Sequence, residues 1–446
     1  MALSGIVIYK MLPQTNCRDC GFPTCLAFAM KLAAKQVELS LCPHVSEESK
    51  TKLSESAAPP IRLITVSSNG HEVKAGNEVV LFRHEKTFYN KPGMFIRVKE
   101  EMPEEKIKET VTAADSYTVN YVGIDLTIDG FAVEASSGDP ASFAALVEKI
   151  RGLTEKPLIL ISSDPQVIEA GLAAAGPGVL ICSANSENYS DMAGLAKEGK
   201  ASLVVTASNL DDLAELSGKV KEIGVEDLVL DPGSRDFGNS LSFYTQIRRQ
   251  ALKKNFKPLG LPIIVFPGEA GDPAQESMLA VQAIAKYAGF IVLDHFAPES
   301  IYPLLVLREN IYTDPQKPIQ VQPGLYEING PSADDPFLVT TNFSITYFSV
   351  ANEVEGSGLP AWLLVTDAEG MSVLTAWAAG KFDAERIAKD VKQFKVADKV
   401  NRKQIILPGH VAVLSGEVEE ELPGWDVRVG PREAVDLPSF MKNALY

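Results

Sequence analysis

Short apolar runs alternate with helical stretches through the middle of this 446-residue chain, a pattern that parallel βα units produce. It opens with a hairpin signal, "IRLITVSSNGHEVKAG", in which Asn69-Gly70 supplies the two-residue turn. The runs "EVVLF", "YVGIDL", "PLILI", "GVLIC", "SLVVT", "DLVL", "PIIVF" and "FIVLD" then read as eight strands separated by helices. Eight such strands predict a closed (β/α)8 TIM barrel; an open doubly wound sheet is the rival, because periodicity does not show closure. Polar residues end the runs: Arg83, Asp125, Ser162, Asn185, Thr206, Asp231, Glu269 and Asp294. In a barrel they would ring one mouth, where βα loops carry chemistry.

Two further regions flank this one. Within residues 1–57, Leu26, Met30, Ala33, Ala34 and Val37 recur at helical spacing, which places Cys25 at or just before a helix start. That region has too little core to fold without a staple, and "SESAAPP" at 54–60 reads as a linker. Beyond residue 320 the chain becomes rich in Pro and Gly, and a second, smaller α/β pattern follows. Strands "FLVTTNF" and "AWLLVTD" each lead into a helical stretch, and an amphipathic "DAERIAKDVKQF" leads into "KQIILPG". The expected organisation is therefore a cysteine domain at 1–57, a barrel at 58–320 and a Rossmann-like α/β domain at 321–446.

Composition narrows the function classes. The formal charge of −16, with no basic stripe to offset it, argues against nucleic acid as a partner. No segment has the roughly eighteen successive apolar residues of a membrane helix, and "MALSGIVIYK" lacks the basic start and cleavage site of a secretion signal. A soluble cytoplasmic protein without membrane contact is expected. Five cysteines in so long a chain do not form a secreted disulfide framework, so metal or redox chemistry is the better reading.

Four of those cysteines lie close together. Cys17, Cys20 and Cys25 share "CRDCGFPTC" and Cys42 follows in "LCPH", giving C-x2-C-x4-C-x16-C. Four thiolates can hold zinc or an iron-sulfur cluster. Zinc ribbons use two C-x2-C knuckles, whereas three ligands on one wrap and a distant fourth favour [4Fe-4S]; from spacing alone zinc stays open. Cys182, inside the apolar "GVLICSA", reads as a small buried hydrophobe.

This cysteine spacing, the "CGFPTC" wrap, the barrel pattern and the final α/β pattern together resemble the large (gamma) subunit family of the corrinoid iron-sulfur protein, from the reductive acetyl-CoA (Wood-Ljungdahl) pathway. The resemblance covers essentially the whole chain. It implies a carrier that takes methyl from methyltetrahydrofolate, through a methyltransferase, onto the monovalent cobalt of a base-off corrinoid and passes it to acetyl-CoA synthase. It also implies a [4Fe-4S] cluster on Cys17, Cys20, Cys25 and Cys42 that reductively reactivates the cobalt. The implied partners are a small subunit in a heterodimer, the methyltransferase, acetyl-CoA synthase and a low-potential electron donor. No catalytic side chain is implied.

A corrinoid needs shape-matched loops at the carboxyl ends of a parallel sheet. "VTTNFSITYF" offers Thr340, Thr341, Ser344 and Thr346, and "EGMSVLTAW" offers Gly370, Met371, Ser372, Val373, Leu374 and Thr375. By the resemblance, the family's cobalt-facing threonine corresponds to Thr375. A third loop, "VGPREAVD", adds Gly430 and Glu433. The Asp-x-His-x-x-Gly signature of the common cobalamin domain is absent, and His410 reads as an ordinary loop residue. Two rival functions stay in view. In one, Asp125, Asn185, Asp231 and Glu269 bind a pterin and the barrel is itself a methyltransferase; in the other, the chain is an iron-sulfur electron-transfer adaptor without corrinoid.

Overall fold

The computed structural model of the chain describes residues 5–33, 36–46, 49–50, 53, 59–314 and 319–445. It divides into two compact units, Met1–Leu81 with Tyr89–Asp115 and Asp129–Phe296, and Phe82–Phe88 with Ser116–Ile128 and Ala297–Tyr446. The linker expected at 54–60 falls largely on residues 54–58, which lie outside the described ones.

The first unit begins with helices Gly5–Met11 and Cys25–Ala33. Ile8, Leu12, Phe28, Ala29 and Val45 form a small core, and Cys25 and Cys42 belong to it. Strands β1 (Ile64–Ser68) and β2 (His71–Ala75) are the expected hairpin. Ser68 pairs with His71 across Asn69 and Gly70, whose φ of 45° and 87° are those of a type I′ turn.

The barrel is closed. Its strands are β3 (Gly93–Lys99), then, after a second hairpin of β4 (Thr118–Tyr121) and β5 (Ile124–Thr127), β6 (Gly130–Glu134), β7 (Leu158–Ile161), β8 (Leu180–Ala184), β9 (Ser202–Thr206), β10 (Leu228–Asp231), β11 (Ile263–Val265) and β12 (Ala288–Leu293). They close in the order β10-β11-β12-β3-β6-β7-β8-β9, all neighbours parallel. Side chains alternate across each strand, so Phe95, Ala132, Ile159, Leu180, Val204, Val229, Ile264 and Phe290 fill the interior. Ile64, Val66, Val73 and Ala75 of the β1–β2 hairpin pack into the same cluster. Ser67 N–H donates to the Gly178 carbonyl at 2.8 Å and Arg62 N–H to the Gly260 carbonyl at 3.0 Å, both just before barrel strands, so the hairpin closes the N-terminal end.

Two expected strands are corrected. "EVVLF" is not a strand: Glu78 turns inward, accepts from the Tyr89 and Asn90 amides at 2.7 and 3.2 Å, and pairs with the buried Arg248. "YVGIDL" is the β4–β5 hairpin of the second unit, turned at Val122-Gly123, and not part of the barrel. Their places are taken by β3 and β6.

The second unit is built on a five-stranded sheet. Its strands are β13 (Gly324–Ile328), β14 (Phe337–Thr341), β15 (Ala361–Thr366), β16 (Gln404–Leu407) and β17 (Asp426–Val429), in the order β13-β15-β14-β16-β17 with only β13 antiparallel. Successive residues face opposite sides. Phe337, Val339, Leu364 and Leu407 pack with Ile387, Val391 and Val418, while Leu338, Leu363, Val365 and Ile406 pack with Ala351, Val354 and Leu437. Helices on both faces make a three-layer, doubly wound arrangement.

Candidate functional site

Geometry in the cysteine region follows from a loop with repeated left-handed residues. Gln14, Asn16, Arg18 and Gly21 have φ of 58°, 49°, 72° and 81°, which curl the backbone into a wrap. Asn16 Oδ1 accepts from the Cys25 amide at 2.8 Å, and Thr24 Oγ1 accepts from Ala27 N–H at 3.1 Å, so the helix bearing Cys25 is capped from the wrap. Cys17 is exposed, Cys20 half-buried, and Cys25 and Cys42 buried. His44 Nε2 and Asp19 Oδ2 lie 2.6 Å apart, which ties the loop after Cys42 to the loop between Cys17 and Cys20. The His44 hydrogen bond, followed by one with Cys17, holds the Asp19 carboxyl below its ordinary pKa. Sequence reasoning missed this tie; His44 and Asp19 are ordinary exposed residues until the fold joins them.

In the second unit the strand order reverses beside β14: the chain leaves β14 for β15 on one side and later returns as β16 on the other. Such a switch point leaves a crevice at the carboxyl ends. The β14–β16 ladder has only the pairs Phe337–Ile405 and Leu338–Ile406, while β14 and β15 pair through Thr341–Thr366. A cavity of about 590 Å³ occupies the gap, lined by Thr340, Thr346, Ser372, Val373, Leu374, Gly430 and Glu433 among the expected residues. Sequence reasoning missed its third wall, Leu407 at the end of β16 with Pro408 and His410 beyond it, and the Ser349, Asn352 and Glu353 side of helix Ser344–Ser357. His410 Nε2 lies 3.7 Å from Glu433 Oε1 on this wall.

The other expected residues lie off that wall. Thr341 is buried at the end of β14, Ser344 begins the helix, and Gly370 and Met371 sit in the turn after β15. Thr375 is one turn into helix Val373–Ala378, its Oγ1 3.0 Å from Ser372 Oγ.

The cavity suits a broad, amide-fringed ligand. Thr340 is 1% exposed, and its Oγ1 has no hydrogen-bond partner among the described residues, an unmet demand that a polar ligand group would satisfy. A Cβ on Gly430 would meet Ile406 Cγ2 at 3.0 Å and Leu407 O at 3.1 Å, so the absence of a side chain lets backbone form the wall.

At the barrel mouth, Arg97, with a side chain 4% exposed, donates to Asp294 at 2.7 and 2.9 Å and lies 3.2 Å from Glu134 and 3.4 Å from Glu269. Arg235 donates to both Asp231 oxygens at 2.9 Å and pairs with Glu269. Asp231 and Glu269 therefore already have cationic partners. Arg83 and Asp125 do not end barrel strands. Arg83 holds the Asn310, Ile311 and Thr313 carbonyls, and Asp125 accepts from Asn120 on the β4–β5 hairpin. No described helix is long and apolar enough to cross a membrane.

Comparison with known proteins identifies the family of the chain. The family described as "CO dehydrogenase/acetyl-CoA synthase delta subunit" matches residues 63–441, and "Putative Fe-S cluster" matches residues 12–44. The corrinoid/iron-sulfur protein large subunit of Moorella thermoacetica is 43% identical over 446 residues, covering 100% of both chains. The acetyl-CoA decarbonylase/synthase complex subunit gamma of Methanopyrus kandleri is 35% identical, covering 99% of this chain and 98% of its own. That of Methanosarcina acetivorans is 36% identical with the same coverage, 99% and 98%. Among solved structures, dihydropteroate synthase from Thermus thermophilus aligns with 56% of this chain and 100% of its own at 17% identity and a TM-score of 0.37, too slight a likeness to bear on function. Matched from end to end by relatives of one kind, the chain belongs to the corrinoid/iron-sulfur protein large-subunit family.

Proposed function

We propose that this chain is a corrinoid-dependent methyl carrier working inside an acetyl-CoA synthase system. It takes methyl from methyltetrahydrofolate by way of a methyltransferase and delivers it to acetyl-CoA synthase. Its stable partner is a small subunit in a heterodimer, and a [4Fe-4S] cluster held by Cys17, Cys20, Cys25 and Cys42 would supply, from a low-potential donor, the electron needed to reactivate the corrinoid. Bound corrinoid supplies the nucleophilic metal; the protein supplies position and shielding. The domains implied are 1–57 for the cluster, 58–320 for the barrel and 321–446 for the corrinoid.

The observation that carries this reading is the switch-point cavity with its orphaned Thr340 hydroxyl, in a chain that also carries Cys17, Cys20 and Cys25 on one loop and Cys42 beyond it. Cys17, Cys20, Cys25 and Cys42 would hold the cluster, with the His44–Asp19 contact fixing the two loops that carry them. Thr340, Thr346, Ser372 and the Gly430 backbone would meet the corrinoid's polar fringe, and Val373 and Leu374 its apolar surface. Thr341, Ser344, Gly370, Met371 and Thr375 would act from the loops that frame it, and Glu433 would set the electrostatics of the His410 wall. The rival pterin site in the barrel is less well supported, because Asp231 and Glu269 are engaged by Arg235.

Protein purified without oxygen is expected to carry about four irons and about one cobalt per chain. Zinc without iron, or iron without cobalt, would sink the reading. His410→Ala is expected to leave the visible and EPR spectra of the divalent cobalt state unchanged, as an absent lower histidine ligand requires. Nitrogen hyperfine structure that disappeared in the variant would assign His410 to the metal instead.

A further inference from the structure

The turn that presents Ser372, Val373 and Leu374 to the cavity is an unusual one. Met371 N–H donates to the Ala368 carbonyl at 3.1 Å, closing a tight turn through Glu369 and Gly370, whose φ are 54° and 73°. These are type I′ dihedrals, and a glutamate at the first position is strained there. Left to itself the segment has little reason to hold this shape.

One buried side chain holds it. Asn342, immediately after β14 and 1% exposed, accepts at Oδ1 from Ala368 N–H at 2.9 Å and from Gly370 N–H at 3.0 Å. Its Nδ2 donates to Gln320 Oε1 at 3.2 Å and to Asp367 Oδ1 at 3.3 Å. Both lone pairs and both protons of the amide are thus used, which also fixes which atom is oxygen. Its backbone is equally committed: Asn342 N–H donates to the Thr366 carbonyl at 2.9 Å, and Val321 N–H donates to the Asn342 carbonyl at 3.0 Å. A Cβ on Gly370 would come within 2.9 Å of Gln320 Nε2, so Gln320 packs directly over the turn it helps to secure.

We infer that Asn342 is the positioning residue of the corrinoid site, its side-chain oxygen fixing the 367–371 turn so that the Ser372–Leu374 wall stands formed before ligand arrives. This rests on the corrinoid reading above. Among the four bonds the two to backbone N–H matter most, because a buried amide left without an acceptor bears its full desolvation cost. Preforming the wall lowers the ordering cost of binding, so its loss should appear as weakened affinity.

The test uses the full chain, depleted of corrinoid and reconstituted with hydroxocobalamin, and compares wild type with Asn342→Leu and Asn342→Asp. Hydrogen exchange in corrinoid-free protein reads the turn directly. In Asn342→Leu the Ala368 and Gly370 amides should exchange at least about tenfold faster while the Leu338 and Leu363 amides in β14 and β15 keep their protection, and the corrinoid dissociation constant should rise by about ten- to a hundredfold. Asn342→Asp keeps the acceptor but turns its other oxygen towards Asp367 Oδ1, so it is made together with Asp367→Asn to restore a donor there; this aspartate variant should keep both amides protected, with an affinity nearer to wild type than to the leucine variant. Equal affinity and equal exchange in wild type and Asn342→Leu would overturn the proposal. So would an aspartate variant as impaired as the leucine one, or loss of protection spread through β14 and β15, which marks a merely structural role. Should Asn342→Leu fail to fold, the exchange rates and affinity of the aspartate variant decide between the same outcomes. Wild type that takes up no corrinoid while its turn amides behave as expected would instead sink the corrinoid reading.

Discussion

Cys20→Ala is expected to empty the cysteine region of iron, from about four atoms per chain to almost none, while cobalt stays at about one. The fold predicts this separation, since the cysteines lie in the first compact unit and the switch-point cavity in the second. It also predicts where the structural damage falls. Cys25 and Cys42 sit in a core of few residues, with Ile8, Leu12, Phe28, Ala29 and Val45, too small to offset the ordering of its own chain without a staple. Amides of helices Gly5–Met11 and Cys25–Ala33 should therefore lose hydrogen-exchange protection in the variant, while the barrel strands keep theirs. Iron analysis, cobalt analysis and exchange on one preparation settle it. Retained iron would remove Cys20 from the ligand set, and joint loss of cobalt would show that the two sites are not independent.

Arg97→Met should cost the barrel about 3–5 kcal/mol at neutral pH, the loss expected when one partner of a buried ionic cluster is removed and the others are stranded. Methionine restores volume but not charge, leaving Asp294 to Lys99 alone and depriving Glu134 of its nearest cation. Burial works to raise the Asp294 pKa, but the bonds from Arg97 and Lys99 outweigh it and hold the carboxyl below its usual value. Its stabilisation is therefore present above the unfolded carboxylate pKa and lost as pH falls through the lower folded one. Glu134 runs the other way: burial dominates and raises its pKa, so stability is regained as pH falls through that raised value. Without Arg97 both carboxyls lean towards burial-raised values, and the variant's deficit should narrow on acidification. Urea midpoints of wild type and variant at about pH 7.5 and about pH 5 would show it. A deficit that widened at the lower pH would mean that the guanidinium is not what holds these carboxyls ionised.

What the sequence disclosed follows from how local each determinant is. The β1–β2 hairpin was legible because Asn69-Gly70 sets its turn by backbone preference alone. "YVGIDL" misled because Val122-Gly123 is a turn of the same kind inside an apolar run, an arrangement that periodicity reads as one strand. "GMFIRVK" was passed over because Arg97 and Lys99 break its apolar signal, and those are the charges that meet Asp294 at the barrel mouth. The hydroxyl- and glycine-bearing loops after β14, β15 and β17 were readable as a candidate ligand edge, and the cavity draws on all three. The β16 wall and Asn342 were not, since their roles depend on the strand-order reversal and on bonds between segments some twenty-five residues apart, such as 342 with 367. Asp19 and His44, 25 residues apart, escaped notice for the same reason.

The interleaving of the two units imposes an order on the protein's birth. Residues 116–128 belong to the second unit, whose main body begins at Ala297, so the 168 residues from 129 to 296 separate the hairpin from the start of that body. Val122 shares a core with Val321, Leu363 and Met441. A ribosome adding roughly 5–20 residues per second takes roughly 8–34 s to make that intervening stretch, and longer still to reach Met441. For that interval the β4–β5 ribbon waits with its apolar side uncovered while the barrel strands around it in sequence are already being made. Synonymous codons that slow translation between 128 and 297 should lengthen that exposure and lower the soluble yield without altering a single residue.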